Sequence, residues 1–292
     1  MTVLLAVAGL GAGAQDPPLV DAARSGDATG VAALLAQGVD ASTPQADGAT
    51  ALHWAADRDD AAMADALIRA GAALDAANDF GVTPLWLACQ NGSAAMVDTL
   101  LSAGADANAA LPSGETVLMN AARTGSAEAV SLLVAHGAHL DTQEQSRGQT
   151  ALMWAVAQQH PDVVRTLVEL GADVHLRSAP RARRIHTRTA GFNPTGVIDT
   201  VLGGNTAMLF AARQGNLATA RHLVAGGADV NDTAPLGTSA LVVAAHSGHT
   251  TFATFLLEQG ADPNAAEAGY TALHGTTLRG DVVLALALLA RG

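Results

Sequence analysis

A five-residue phrase returns along this chain at a nearly fixed interval, and that interval limits the fold more than any other feature. It reads Gly48-Ala49-Thr50-Ala51-Leu52, then Gly81-Val82-Thr83-Pro84-Leu85, Gly114-Glu115-Thr116-Val117-Leu118 and Gly148-Gln149-Thr150-Ala151-Leu152. It comes back as Gly204-Asn205-Thr206-Ala207-Met208, Gly237-Thr238-Ser239-Ala240-Leu241 and Gly269-Tyr270-Thr271-Ala272-Leu273. The steps are 33, 33, 34, 56, 33 and 32 residues. A period near 33 means a stack of small like units, each leaning on its neighbours, rather than one globular core.

A second phrase keeps the same register. Gly-Ala-Asp or a near variant closes the units, as at Gly38-Val39-Asp40, Gly104-Ala105-Asp106, Gly137-Ala138-His139, Gly171-Ala172-Asp173, Gly227-Ala228-Asp229 and Gly260-Ala261-Asp262. Residues 50–56 read as a short first helix, with Thr50 as its cap and Leu52, Ala55 and Ala56 as a small apolar face. A turn follows at Gly92, Gly125, Gly215, Gly248 and Gly280, where a positive φ costs glycine little. Asp59 and Gln159 hold that position in two units, which predicts less relaxed turns there. Second helices carry apolar pairs such as Leu67-Ile68, Leu100-Leu101 and Leu256-Leu257, and the next glycine ends them. With both phrases in lockstep, the chain resembles the ankyrin-repeat family, whose unit carries Thr-Pro-Leu-His near its start and Gly-Ala-Asp near its end. The resemblance covers residues 19–292 apart from one insertion. Only Thr83-Pro84 keeps the Thr-Pro, and only His53 and His274 keep the His. It implies an all-α solenoid of stacked helix-turn-helix units joined by β-turns or hairpins, and a protein that works by binding.

Composition agrees. Hydrophobic residues make up 49% of the chain and aromatics 3%, which suits an alanine- and leucine-built helical stack rather than a sandwich or barrel. We expect a degenerate N-terminal capping repeat over residues 15–46, four repeats over 47–175, an insertion over 176–203, and three repeats over 204–292 with the last incomplete. The tail Val282-Val283-Leu284-Ala285-Leu286-Ala287-Leu288-Leu289 is apolar where a solenoid needs a polar cap. The expectation is a chain cut short of its natural end, or an end that pairs with something. At the other terminus, Val3-Leu4-Leu5-Ala6-Val7-Ala8-Gly9-Leu10 precedes Ala12-Gly13-Ala14, the pattern of an export signal over residues 1–14 without its basic start. The alternative is an apolar element covering the first repeat. The run is too short to span a bilayer. Fifteen arginines and no lysine, beside heavy Ala and Gly, suit a GC-rich bacterial genome, so the expected location is the periplasm, or the cytoplasm if the run is not a signal. Cys89 is the only cysteine, which excludes an intramolecular disulfide and points to a packing role rather than a reactive thiol.

The step of 56 adds about 23 residues, and they are basic. Arg177, Arg181, Arg183, Arg184 and Arg188 face only Asp199 in residues 176–203, a net +4 on a chain whose total is −12. Pro180, Gly191, Pro194 and Gly196 argue against a long helix, so irregular structure or a loose hairpin is expected, with a turn over 191–196. The insertion is either a solvated loop folded onto acidic neighbours or a finger for an anionic partner. Nucleic acid is disfavoured, because the acidic body lacks a broad basic stripe.

The resemblance also implies a concave surface made by first helices and finger loops. Its exposed position lies two residues after the Leu of each phrase, and here holds Trp54, Leu87, Asn120, Trp154, Phe210, Val243 and Gly275. Three of the nine aromatics fall at this one position. They serve either as binding anchors or as packing within the inner wall. Asp57, Gln90, Arg123, Ala157, Arg213 and His246 flank the row, and Asp47, Phe80, Pro112, Arg147, Pro235 and Leu236 are among the finger residues. The candidate partner-binding set is therefore Trp54, Asp57, Leu87, Gln90, Asn120, Arg123, Trp154, Phe210, Arg213, Val243 and His246, with Arg181, Arg183 and Arg184 from the insertion. His246 and His249 have a metal-like spacing, but Ser247-Gly248 interrupts it, and structural use is expected. No phosphate loop, nucleophile elbow or Cys/His cluster occurs in the sequence. The expectation is a monomeric, non-enzymatic scaffold for a protein partner, without cofactor or metal. The alternative is a targeting region of a larger chain with a catalytic domain beyond residue 292.

Overall fold

The computed structural model describes residues 16–187 and 196–292. The expected export segment, Arg188 and most of the expected turn at 191–196 lie outside the described residues. Helices come in pairs. The first four are α1 (Pro18–Ser25) with α2 (Ala28–Ala36), α3 (Ala51–Asp57) with α4 (Ala61–Arg69), α5 (Pro84–Asn91) with α6 (Ala94–Ala103), and α7 (Val117–Thr124) with α8 (Ala127–Ala135). Then come α9 (Ala151–Ala157) with α10 (Pro161–Glu169) and a hairpin, β1 (Arg181–Thr187) and β2 (Gly196–Leu202). After it stand α11 (Ala207–Gln214) with α12 (Leu217–Ala225), α13 (Ala240–Ser247) with α14 (Thr250–Glu258), and α15 (Ala272–Arg279) with α16 (Val282–Leu289).

Odd-numbered helices pack side by side in one layer and even-numbered helices in the other. The close approach of the first layer has a plain cause. Ala55, Ala88, Ala121, Ala155, Ala211 and Ala244 occupy one position in six successive first helices, and all are fully buried. The larger volume is supplied from both layers by Leu52, Leu85, Leu118, Leu67, Leu100 and Leu133. One continuous core results. Helix α9 touches α11 and α10 touches α12, so the inserted residues leave the stack unbroken.

Polar groups lock the units to one another. Thr83, Thr116, Thr150 and Ser239 accept the N–H three residues on and so start their first helices. The carbonyls at the far end of the same helices are met by the next repeat. Asn91 Nδ2 donates to the Ala56 and Asp57 carbonyls, Thr124 Oγ1 to Cys89, and Gln214 Nε2 to Ala157. His160 and His249 do not cap the helices they precede; each ring Nε2 lies 3.0 Å from a carbonyl of the previous unit, Arg123 and Arg213 respectively. A carbonyl only accepts, so both Nε2 atoms carry the proton.

His53 is buried and makes the same kind of link forward. Its Nδ1 accepts the Thr50 N–H at 3.0 Å, so Nε2 carries the proton and donates to the Val82 carbonyl at 3.0 Å. Burial pushes the imidazole pKa down, against the pull of the Val82 carbonyl and of Asp47. The unfolded chain then takes up the proton first. The contribution of this site is complete above the unfolded value of about 6.5 and is lost as the pH falls below it.

Two turns depart from the rest. Gly92 has φ 69°, a left-handed value open to glycine, but Asp59 has φ 57° and Gln159 φ 61°. The sequence predicts both. Of the two expectations for the insertion, the hairpin is the one found, and it is more regular than its prolines and glycines suggest. It is an antiparallel ladder from Arg181 opposite Leu202 to Thr187 opposite Gly196. The run Val197-Ile198-Asp199-Thr200-Val201 is rich in β-branched residues, which favour a pleated strand.

Two outcomes test this description. Gln159→Gly should raise stability by about 1 kcal/mol in urea denaturation, because a left-handed non-glycine residue costs roughly 1–2 kcal/mol. The melting temperature should fall between pH 8 and pH 5, and His53→Gln, though less stable at pH 8, should show a shallower fall.

Candidate functional site

The connecting loops between repeats zip together along one edge. The Asp79 N–H donates to the Asp47 carbonyl, Gln145 to Ser113, and Ala179 to Arg147. The hairpin grows out of the last of these fingers. Its base is closed by the Ser178 N–H on the Asn205 carbonyl and the Gly204 N–H on the Ser178 carbonyl. Arg177 fixes that base to the next finger. It donates to the carbonyls of Gly204 (3.0 Å) and Thr233 (2.7 Å) and pairs with the Asp232 carboxylate.

The finger below the hairpin has its own anchor. Glu144 is buried, and its carboxylate accepts the backbone N–H groups of Ser146, Arg147 and Gln149. Burial alone would raise its pKa. Hydrogen bonds from Ser146, Gln149 and Arg147 outweigh that and hold it below the ordinary carboxylate range. The anchor therefore sets the turn that carries Arg147.

Between the hairpin base, these fingers and helices α11 and α13 lies a groove of about 520 Å³. Its apolar lining includes Phe210, Val243, Leu202 and Leu236. Leu202 and Leu236 keep 46% and 53% of their surface exposed, which is high for leucine and leaves apolar area open to a partner. Arg147, Arg181 and Arg213 also line it, all exposed, and no carboxylate is among the described lining residues.

The candidate residues divide along the stack. Phe210, Arg213, Val243 and Arg181 meet in this groove. Arg183 stands exposed two residues beyond Arg181, on the same face of β1. Arg184 is exposed on the other face, its backbone opposite Asp199. The expectation that the whole row is exposed is corrected. Trp54, Leu87 and Asn120 are buried. The Trp54 indole donates to Gln45 Oε1 at 3.1 Å, and the Arg24 guanidinium lies 5.5 Å from the ring centroid. Asn120 Nδ2 donates to the Trp86 carbonyl at 2.9 Å, and its amide oxygen accepts from Arg123. These side chains are the inner wall of the solenoid, and Gly275 is buried as well. Trp154 is half-buried, with its indole N–H out of water and unpartnered among the described residues. Asp57 and His246 are exposed, and Gln90 and Arg123 are half-buried, all outside the groove.

Sequence reasoning left Arg147 and Leu236 as unremarkable finger residues and passed over Leu202. The signal available was two apolar residues, Val201-Leu202, closing an otherwise basic insertion. His249 is committed to the Arg213 carbonyl, which leaves the His246/His249 spacing without a paired ligand role. Among the described residues no group of His, Cys, Asp and Glu is placed to hold a metal ion, and no helix is long and apolar enough to cross a membrane. Cys89 is buried, and burial pushes its thiol pKa far up.

Comparison with known proteins gives the same architecture. The family model for ankyrin repeats (3 copies) matches residues 19–111, 103–178, 191–267 and 208–292. The chain belongs to the ankyrin-repeat family, whose repeats generally mediate protein–protein interaction. It is similar to the human ASB11 ankyrin repeat domain in crystal structure, with 27% identity and a TM-score of 0.62, over 94% of this chain and 98% of that one. No curated protein matches.

Glu144→Gln should loosen the finger, with faster amide exchange at Ser146, Arg147 and Gln149. In the parent, the stability from Glu144 is present above about pH 4.3 and is lost as pH falls through the lower folded value. The variant should lack that loss.

Proposed function

We propose that this chain is a non-enzymatic scaffold that binds a protein partner on its concave side, at the groove framed by the hairpin, the fingers and helices α11 and α13. The carrying observation is the exposed apolar pair Leu202 and Leu236 beside half-buried Phe210 and Val243. The buried wall around Trp54 and Asn120 gives the rest of the row a different task, rigid support. A solenoid whose units are tied by side-chain-to-carbonyl bonds presents such a groove without ordering a loop on binding, which lowers the entropic cost of association. The N-terminal apolar run supports an exported protein as part of the same reading.

The test is capture on the immobilised chain against a Leu202→Asp, Phe210→Ala, Leu236→Asp variant, with Arg69→Glu on outer helix α4 as the surface control. Residues at the centre of an interface cost about 2 kcal/mol or more each when truncated. A partner retained by parent and control and lost by the groove variant, at matched melting temperature, supports the reading. Equal retention by all three sinks it.

A further inference from the structure

The groove has a charge as well as a shape, and the charge runs against that of the chain. The chain carries −12, yet the groove contributes three guanidinium groups and, among the described lining residues, no carboxylate. Arg147 comes from a finger, Arg181 from the hairpin and Arg213 from the end of α11. Some arginines elsewhere are held in ion pairs, although Arg69 and Arg221 are in none of those described. Arg24 pairs with Asp16 and Asp21, Arg165 with Glu169, and Arg177 with Asp232. No described ion pair involves Arg147, Arg181 or Arg213.

The backbone at or below each of the three is held from behind. Glu144 fixes the backbone of Arg147, the Ser178–Asn205 and Gly204–Ser178 bonds fix the hairpin base below Arg181, and His249 holds the Arg213 carbonyl. Guanidinium groups set around an apolar bed suit carboxylates flanking an apolar side chain, because each charge-assisted pair gains from the neighbouring low-dielectric surface. Leu202 and Leu236 line the groove half-exposed beside the guanidinium groups, so an occupant that covers both is larger than a small anion. A free small anion would leave them in water.

We infer that the groove recognises an extended acidic peptide segment, in which an apolar side chain seats on Phe210 and Val243 while flanking Asp or Glu side chains meet Arg147, Arg181 and Arg213. This rests on the concave-groove reading above and adds the chemistry of the partner. Arg183, farther along the same hairpin face, extends the basic surface for a segment that runs up the hairpin.

The test is selection from a random linear dodecapeptide library on the full chain, followed by fluorescence anisotropy with the best enriched peptide. The expected pool is rich in Asp and Glu around one Leu, Ile or Phe. Binding should weaken at least about tenfold in an R147E, R181E, R213E variant and fall with added salt. R165E, on the outer helix α10, should bind as the parent does. R147Q, R181Q, R213Q keeps the test open if the reversed variant melts early. A pool without acidic bias, lost on Phe210→Ala but indifferent to the arginine changes, overturns the acidic chemistry and keeps the groove. A pool indifferent to both, or no enrichment at all, overturns this inference, and indifference to both also counts against the groove. Displacement by inorganic phosphate alone at millimolar concentration makes it a small-anion site. Tighter, arginine-dependent binding of a single-stranded oligonucleotide makes it a nucleic-acid site. Either result overturns the peptide.

Discussion

Everything in this molecule depends on the seam between one repeat and the next. A pair of helices of eight or nine residues, such as α11 with α12, has two apolar flanks and can cover neither by itself. Burial comes only when the next pair arrives, so the seam is both the core and the reason the chain is ordered. The alanine column through Ala55, Ala88, Ala121 and Ala155 sets how close the pairs come. At that spacing, a side chain of one repeat reaches a helix-end carbonyl of the one before. Asn91, Thr124, His160, Gln214 and His249 all do this. The apolar seam sets the distance, and the polar links use that distance to satisfy carbonyls that a short helix leaves open.

The fold was legible because its instructions are local and repeated. Caps at Thr83, Thr116 and Thr150, glycine turns and the Gly-Ala-Asp phrase each act within one unit, and seven copies average out any weak one. Even the exceptions could be read, since Asp59 and Gln159 stand where glycine belongs and do take positive φ. The candidate site was legible in part. The row that includes Phe210 and Val243, with Arg213 flanking it, follows from the register, and Arg181 from charge. Exposure along that row was not legible, because Trp54 is covered by Arg24 and Gln45, which lie 30 and nine residues away from it and meet it only in the folded stack. The hairpin was under-read for a similar reason. Its order comes from cross-strand pairing such as Arg181 with Leu202, a non-local fact that Pro180, Gly191, Pro194 and Gly196 obscure in the sequence.

The insertion is usefully compared with the loops it replaces. Elsewhere the edge is a row of short fingers, some of them bonded to a neighbour through one backbone link such as Gln145 to Ser113. At Ser178 the same edge is interrupted, and the chain runs out through β1 and back through β2 before Asn205 resumes the pattern. Helices α9 and α11 still pack as neighbours. Added length was placed outside the seam, where extending a loop costs little free energy. The result is a wall on one side of an otherwise open surface.

The Arg177 clip decides what that wall can do. Because Arg177 grips Gly204, Thr233 and Asp232 beneath the hairpin, the hairpin base and the next finger are tied to each other. The width of the groove is thus fixed below the first paired residues of the ladder, and the strands above that point are free of the job of spacing. Their length and sequence form an interchangeable module: strands could be trimmed, lengthened or swapped to suit a different occupant while the gap they border stays the same.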